Sequence, residues 1–188
     1  LCFELSHRLS IRFRGIGRIV DEVQGFRYCD ARDLLGFVDG TENPGGPLAE
    51  HFALTGPNDV HPASSYVVVQ KYSHDLDAWH GLSVEQQEAA FGRTKLSDIE
   101  FDDADKAPDS HLALNVIEDE GGERKILRDN MPFGSVAEGL YGTYFIGYAA
   151  DVTTTEQMLR NMFLGSGAAT HDRILDFSTA LTGSLFFV

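Results

Sequence analysis

Cysteine is scarce in this sequence: only Cys2 and Cys29 occur among 188 residues. Two thiols do not make the framework of a secreted disulfide scaffold, so free thiols in a reducing, cytoplasmic setting are expected. Long apolar runs are also missing, and no stretch could cross a bilayer as a helix. Basic residues are few, 15 Lys and Arg against 29 Asp and Glu, which leaves a formal charge of −14. That imbalance excludes nucleic-acid binding by phosphate neutralisation and argues against an anionic membrane surface. Apolar residues nevertheless make up 43% of the chain, enough for a packed core without covalent staples.

The chain begins at Leu1, and Leu1, Leu5 and Leu9 lie on one face of a helix already under way. The expectation is that the natural N-terminus, with any targeting segment, lies upstream. An extended run over Arg18–Val23 follows, then a segment dense in Gly, Asn and Pro from Gly36 to Pro47 that reads as a linker or functional loop. Tyr66–Tyr72, rich in Val and Tyr, predicts a buried strand. Ser83 with Gln86 three residues on predicts a capped helix to Phe91. The polar stretch Gly92–Asp109 contains the cluster Asp98, Glu100, Asp102, Asp103 and Asp105, read as a solvated loop or as a lure for cations. Short elements meet at the Gly121-Gly122 turn. Gly142–Ala150 predicts a strand, Thr154–Phe163 a helix with Met158, Leu159, Met162 and Phe163 on one face, and Leu185–Val188 a last strand. The resulting βαββαβ order is that of an α+β, ferredoxin-like antiparallel sheet with helices on one face. Trp79, the one tryptophan, stands among polar residues and is expected at the surface, where it could relay electrons.

The most unusual stretch is Gly36-Phe37-Val38-Asp39-Gly40-Thr41-Glu42-Asn43-Pro44. Taken by itself it is a turn that holds a carboxylate at a close backbone approach. Phosphate cradling is a poor reading, because no Lys follows the glycines and no helix is evident. Together with Gly25-Phe26-Arg27-Tyr28 and Arg32-Asp33-Leu34-Leu35, this stretch resembles the signature of the dye-decolorizing peroxidases, whose core is Gly-x-x-Asp-Gly. The short loops are similar to those of the compact bacterial type B.

The resemblance implies two ferredoxin-like domains of the dimeric α+β barrel superfamily, with the first largely missing here. Residues 1–45 would be its end plus the Gly-x-x-Asp-Gly loop, and residues 46–188 the haem-binding domain. It implies haem b (iron protoporphyrin IX) with His111 as the iron ligand, and Asp172, with Asp176 as runner-up, orienting the imidazole. It implies Asp39, Arg128 and Asn130 as catalytic residues on the open face. Asp39 would shuttle a proton, Arg128 would stabilise developing charge and Asn130 would hold peroxide. Two alternatives stay open: Asp172 as a helix N-cap, and Arg128 as a salt-bridge partner of the haem propionates. Phe145 and the Met162–Phe163 pair are candidate apolar walls. Implied partners are hydrogen peroxide and a dye or small-molecule reductant, through an oxoferryl intermediate. A homo-oligomer is further implied, and an encapsulin shell if the full-length protein carries a C-terminal tail. The alternative is a haem-handling protein with little turnover, which would need His111 but not Asp39 with Arg128.

Overall fold

The computed structural model describes residues 1–188. Helix α1 (Cys2–Arg12) forms as its Leu spacing predicts, but it buries none of its residues. The run Arg18–Val23 joins no strand pair: all of it but the half-buried Val23 is exposed, and only at Gly25 does this segment bridge Phe133. An extended run becomes a strand only where a neighbour accepts its N–H groups, and none lies alongside. After a 3-10 turn at Cys29–Ala31 comes α2 (Pro47–Ala53), with Pro at its start. The breaker-rich segment thus leads into a helix, because proline's missing N–H costs nothing in a first turn.

The remaining elements are β1 (Tyr66–His74), α3 (Leu76–His80), α4 (Val84–Phe91), α5 (His111–Asn115), β2 (Ile117–Asp119), β3 (Gly122–Arg124), β4 (Leu127–Ser135), β5 (Leu140–Ala149), α6 (Val152–Leu164) and β6 (Ser178–Phe187). A second 3-10 turn, Arg173–Asp176, precedes β6. Four strands form one antiparallel sheet in the order β4-β5-β1-β6, while β2 and β3 make a separate hairpin. With helices after β1 and again after β5, this is the ferredoxin-like arrangement. No helix is long and apolar enough to cross a membrane.

The strand register decides which side chains share a face. Arg128 pairs with Gly147 and Asn130 with Phe145 across β4 and β5, and Phe145 in turn pairs with Gln70 of β1. Alternation along each strand therefore puts Arg128, Asn130, Phe145, Gln70 and Tyr72 on one face. That face looks toward α5 and α6. On α6, Thr155, Met158, Leu159 and Met162 look back at it, spaced as one helical stripe.

Beside this layer sits a core of Leu35, Phe37, Trp79, Ala90 and Ile174. Trp79 is fully buried, not exposed, which rules it out as a surface electron relay. Its indole N–H donates to the Leu35 carbonyl at 2.9 Å, and its ring meets Phe37 and Phe177 edge-on. The polar neighbours in sequence face away, while α3 turns the indole inward. Trp79→Ala should cost about 3–5 kcal/mol, the range for emptying a large aromatic site. Chemical denaturation measures it, and a loss below about 1 kcal/mol would contradict the core assignment.

Candidate functional site

Between the sheet face and the helices lies a cavity with roughly 1090 Å³ of space between its walls, part of it open to solvent. Asp39, Arg128, Asn130, His111, Phe145 and Met162 all line it. Phe163, expected beside Met162, does not: it is 41% exposed and borders a neighbouring groove instead.

His111 enters from the helical layer. Ser110, fully buried, caps α5 through its hydroxyl, and this fixes the first turn from which the imidazole projects. The His111 Nδ1 lies 2.6 Å from Asp172 Oδ2, and Asp172 is fully buried. The other oxygen, Oδ1, accepts from the Ile174 N–H at 3.0 Å. Asp172 thus bonds the imidazole through one oxygen and caps the turn Arg173–Asp176 through the other. Asp176 instead pairs with the exposed His171 at 2.7 Å, away from the cavity. Asn115, four residues after His111 and so on the same helix face, donates to the His111 carbonyl at 2.8 Å. It also approaches Asp172 Oδ2 at 3.3 Å. Sequence reasoning missed Asn115, although its spacing from His111 was a usable signal.

Arg128 and Asn130 come from β4, and Asp39 from the loop docked against it. A tight turn shapes that loop: Arg32 bridges Val38, the Asp33 carboxylate accepts the Phe37 N–H at 2.9 Å, and Gly36 takes φ +95°. Asp39 then hangs from the Ala31 carbonyl through its own N–H. Asn130 donates to Asp39 Oδ1 at 2.9 Å. Burial raises the Asp39 pKa, while the Asn130 hydrogen bond and the Arg128 charge pull it back. Burial, joined by the Arg93 charge, pushes Arg128 below the usual arginine value, and Asp39 and Glu42 counter it. The Arg128 side chain makes no hydrogen bond to any protein group. Asp33, in the same wall, is pushed up to about 7, mostly by burial. Further along the sheet His74 sits between the hydroxyls of Ser178 and Thr143, and burial depresses it to about 4, so its ring is neutral.

Polar atoms without partners show what the cavity would hold. The Tyr72 hydroxyl, the Asn130 side-chain carbonyl and the Thr155 hydroxyl are buried and unbonded, and all three residues line it. Buried polar groups in that condition point to a ligand or water. The Nε2 of His111 likewise has no protein partner. No group of three or more His, Cys, Asp or Glu side chains converges to bind a metal ion. An iron reached by His111 would therefore have to bring its equatorial ligands with it, as a porphyrin does. The apolar side chains of Phe145, Met158 and Met162, which line the cavity, suit such a ring.

Fold and site define a ferredoxin-like α+β protein whose internal pocket sets a carboxylate-backed imidazole against an Asp–Arg–Asn wall. The family model for Dyp-type peroxidase, C-terminal, matches residues 30–188, and the chain belongs to that family. It is 64% identical over 190 residues to a dye-decolorizing peroxidase of Brevibacterium linens, covering all of this chain and 52% of that protein. It is 60% identical to one from Mycobacterium tuberculosis, covering all of this chain and 56% of that protein. The chain thus spans about half the length of these relatives. Among solved structures it resembles DyPB from Rhodococcus jostii at 56% identity and a TM-score of 0.95, over all of this chain and 61% of that one. The encapsulated DyP-type peroxidase from Mycobacterium smegmatis matches at 56% identity and a TM-score of 0.96, with the same coverage.

Proposed function

We propose that this chain is the haem-carrying part of a dye-decolorizing peroxidase, which reduces hydrogen peroxide and oxidises a dye, phenolic or other small-molecule reductant. One observation carries the reading: His111, anchored through Nδ1 by buried Asp172, leaves Nε2 free in a cavity that Asp39, Arg128 and Asn130 also line. Variants of the Rhodococcus relative have been solved in complex with haem, and the same cofactor is proposed here. Haem b would supply the redox-active iron and the two electrons that reductive O–O cleavage requires.

The protein's own groups do the rest. His111 Nε2 would bind iron, and Asp172, by taking the Nδ1 proton's hydrogen bond, makes the imidazole a stronger donor. Asp39 Oδ2, left free by the Asn130 bond to Oδ1, would take the proton from the peroxide oxygen nearer the iron. It would then return that proton to the departing oxygen, which leaves as water. The Arg128 guanidinium would hold the negative charge that builds on that oxygen. The unbonded Asn130 Oδ1 would accept from the peroxide O–H and fix its orientation. Phe145 and Met162 would exclude water from the walls.

In this reading residues 46–188 are the haem domain, and residues 1–45 end the preceding one and carry the Asp39 loop. Homo-oligomeric assembly and enclosure in an encapsulin shell in the cytoplasm are proposed for the whole protein, the latter from likeness to the encapsulated Mycobacterium smegmatis protein. The test of function is an absorption spectrum of the whole protein before and after one equivalent of peroxide. A Soret band that shifts with peroxide is expected. A Soret band indifferent to peroxide would mean haem binding without turnover, and no Soret band would end the proposal.

A further inference from the structure

The loop bearing Asp39 and the strand bearing Arg128 are joined by an unusual contact. The Asn43 amide donates from Nδ2 to the Arg128 carbonyl at 2.6 Å and accepts at Oδ1 from the Arg128 N–H at 3.0 Å. One side chain thereby satisfies both backbone groups of a residue 85 positions away. A primary amide presents C=O and N–H side by side, as a peptide does, so Asn43 acts as a single rung of β-ladder. It can do so because β4 is an edge strand of the sheet. At Arg128 the outward-facing N–H and C=O have no strand partner in this sheet and would otherwise lack one. Four residues along, the Phe26 N–H closes the same edge at the Pro132 carbonyl. Between these two ties a second cavity opens on the outer side of the wall, lined by Tyr28, Met131 and Asn43. Asp39, Gly40, Arg128 and Asn130 border both cavities and so form the partition between them.

We propose that Asn43 is a positioning residue for peroxide activation: its amide rung sets Arg128 in register with Asp39 across this partition. The inference rests on the peroxidase reading above. Asn43 touches neither cofactor nor peroxide and acts through the Arg128 backbone. A guanidinium displaced by about 1 Å loses its aim at the departing oxygen, an error that costs about 10²-fold in rate. Its charge also moves relative to Asp39. Groups bearing on the Asp39 charge are Arg128 and Asp129 from β4 and Asp33 from the loop turn, while Glu42 and Arg93 act on Arg128. Arg128 is the cation that draws Asp39 toward ionisation. Moving it away leaves Asp39 protonated to higher pH, so the acid limb of the peroxide reaction should rise.

The experiment uses the whole protein loaded with haem b, with Asn43→Ala and Asn43→Asp compared with the unaltered enzyme. Asn43→Asp keeps the acceptor for the Arg128 N–H but sets an oxygen against the Arg128 carbonyl. Both variants should bind haem with an unaltered resting spectrum, because the His111–Asp172 pair lies in the helical layer. The second-order rate with peroxide, followed at the Soret band, should fall about 10–100-fold, and its acid limb should move to higher pH. A lower rate with an unmoved acid limb overturns the proposal, as does an unchanged rate. Failure of both variants to load haem also overturns it, since Asn43 would then be a general folding element. If the unaltered enzyme itself gives no reaction with peroxide, the peroxidase reading fails rather than the role of Asn43.

Discussion

Replacing His111 with alanine should abolish haem retention in the whole protein, leaving no Soret band after purification with haem supplied. His111 Nε2 is the one imidazole nitrogen that lines the cavity without a protein partner; the other lining histidine, His74, has both ring nitrogens bonded to hydroxyls. The loss should exceed that of Asp172→Asn, which keeps the ligand and removes only its orienting carboxylate. Changes of that kind cost about 10–100-fold in affinity. His111→Ala also strips buried Asp172 of its main partner, and an unsatisfied buried group costs about 1–3 kcal/mol, more when charged. The pair His111→Ala/Asp172→Asn removes that charge and separates ligation from folding. If the double variant melts like the unaltered protein and still lacks a Soret band, His111 is the ligand. An unchanged Soret band in either variant would refute the assignment.

Much of this geometry was legible from the sequence, for identifiable reasons. The capping box at Ser83 and Gln86 forms because both of its bonds are local. The Val-rich run became β1, and the Met158–Met162 stripe faces the cavity, because each follows a short-range period. What was not legible depends on distant partners. Burial of Trp79 rests on Leu35, a carbonyl 44 residues away. The Asn43 rung joins residues that no local pattern connects. Pro47 misled in a different way, since proline marks either a break or a first helical turn, and the following residues decide.

Arg128→Leu should slow the reaction with peroxide at least as much as Asp39→Ala does. Removing one preorganised donor to a developing oxyanion costs about 10²–10³-fold, and removing a general base about 10²–10⁴-fold. Those ranges overlap, so the surroundings decide. Asp39 has a substitute in principle, because an ordered water held by the unbonded Asn130 Oδ1 could carry the proton. Arg128 has none. The other arginine lining the cavity, Arg93, is committed to Thr41 at 2.6 Å, Asp98 at 3.0 Å and Glu42 at 3.4 Å. Lys95 is tied to Gln87 and lies over Phe37, outside the cavity lining. Losing Arg128 also leaves Asp39 without the cation that offsets its burial, so its pKa rises further and the base is protonated at higher pH. One substitution therefore impairs both roles, whereas Asp39→Ala impairs one. Arg128→Lys should recover part of the rate, since it restores the charge but not the planar fork. The measurement is stopped-flow absorbance at the Soret band, with haem occupancy matched across variants and pH varied. A fast reaction in Arg128→Leu beside a large loss in Asp39→Ala would reverse the ranking and leave Arg128 as an anchor for the cofactor's carboxylates.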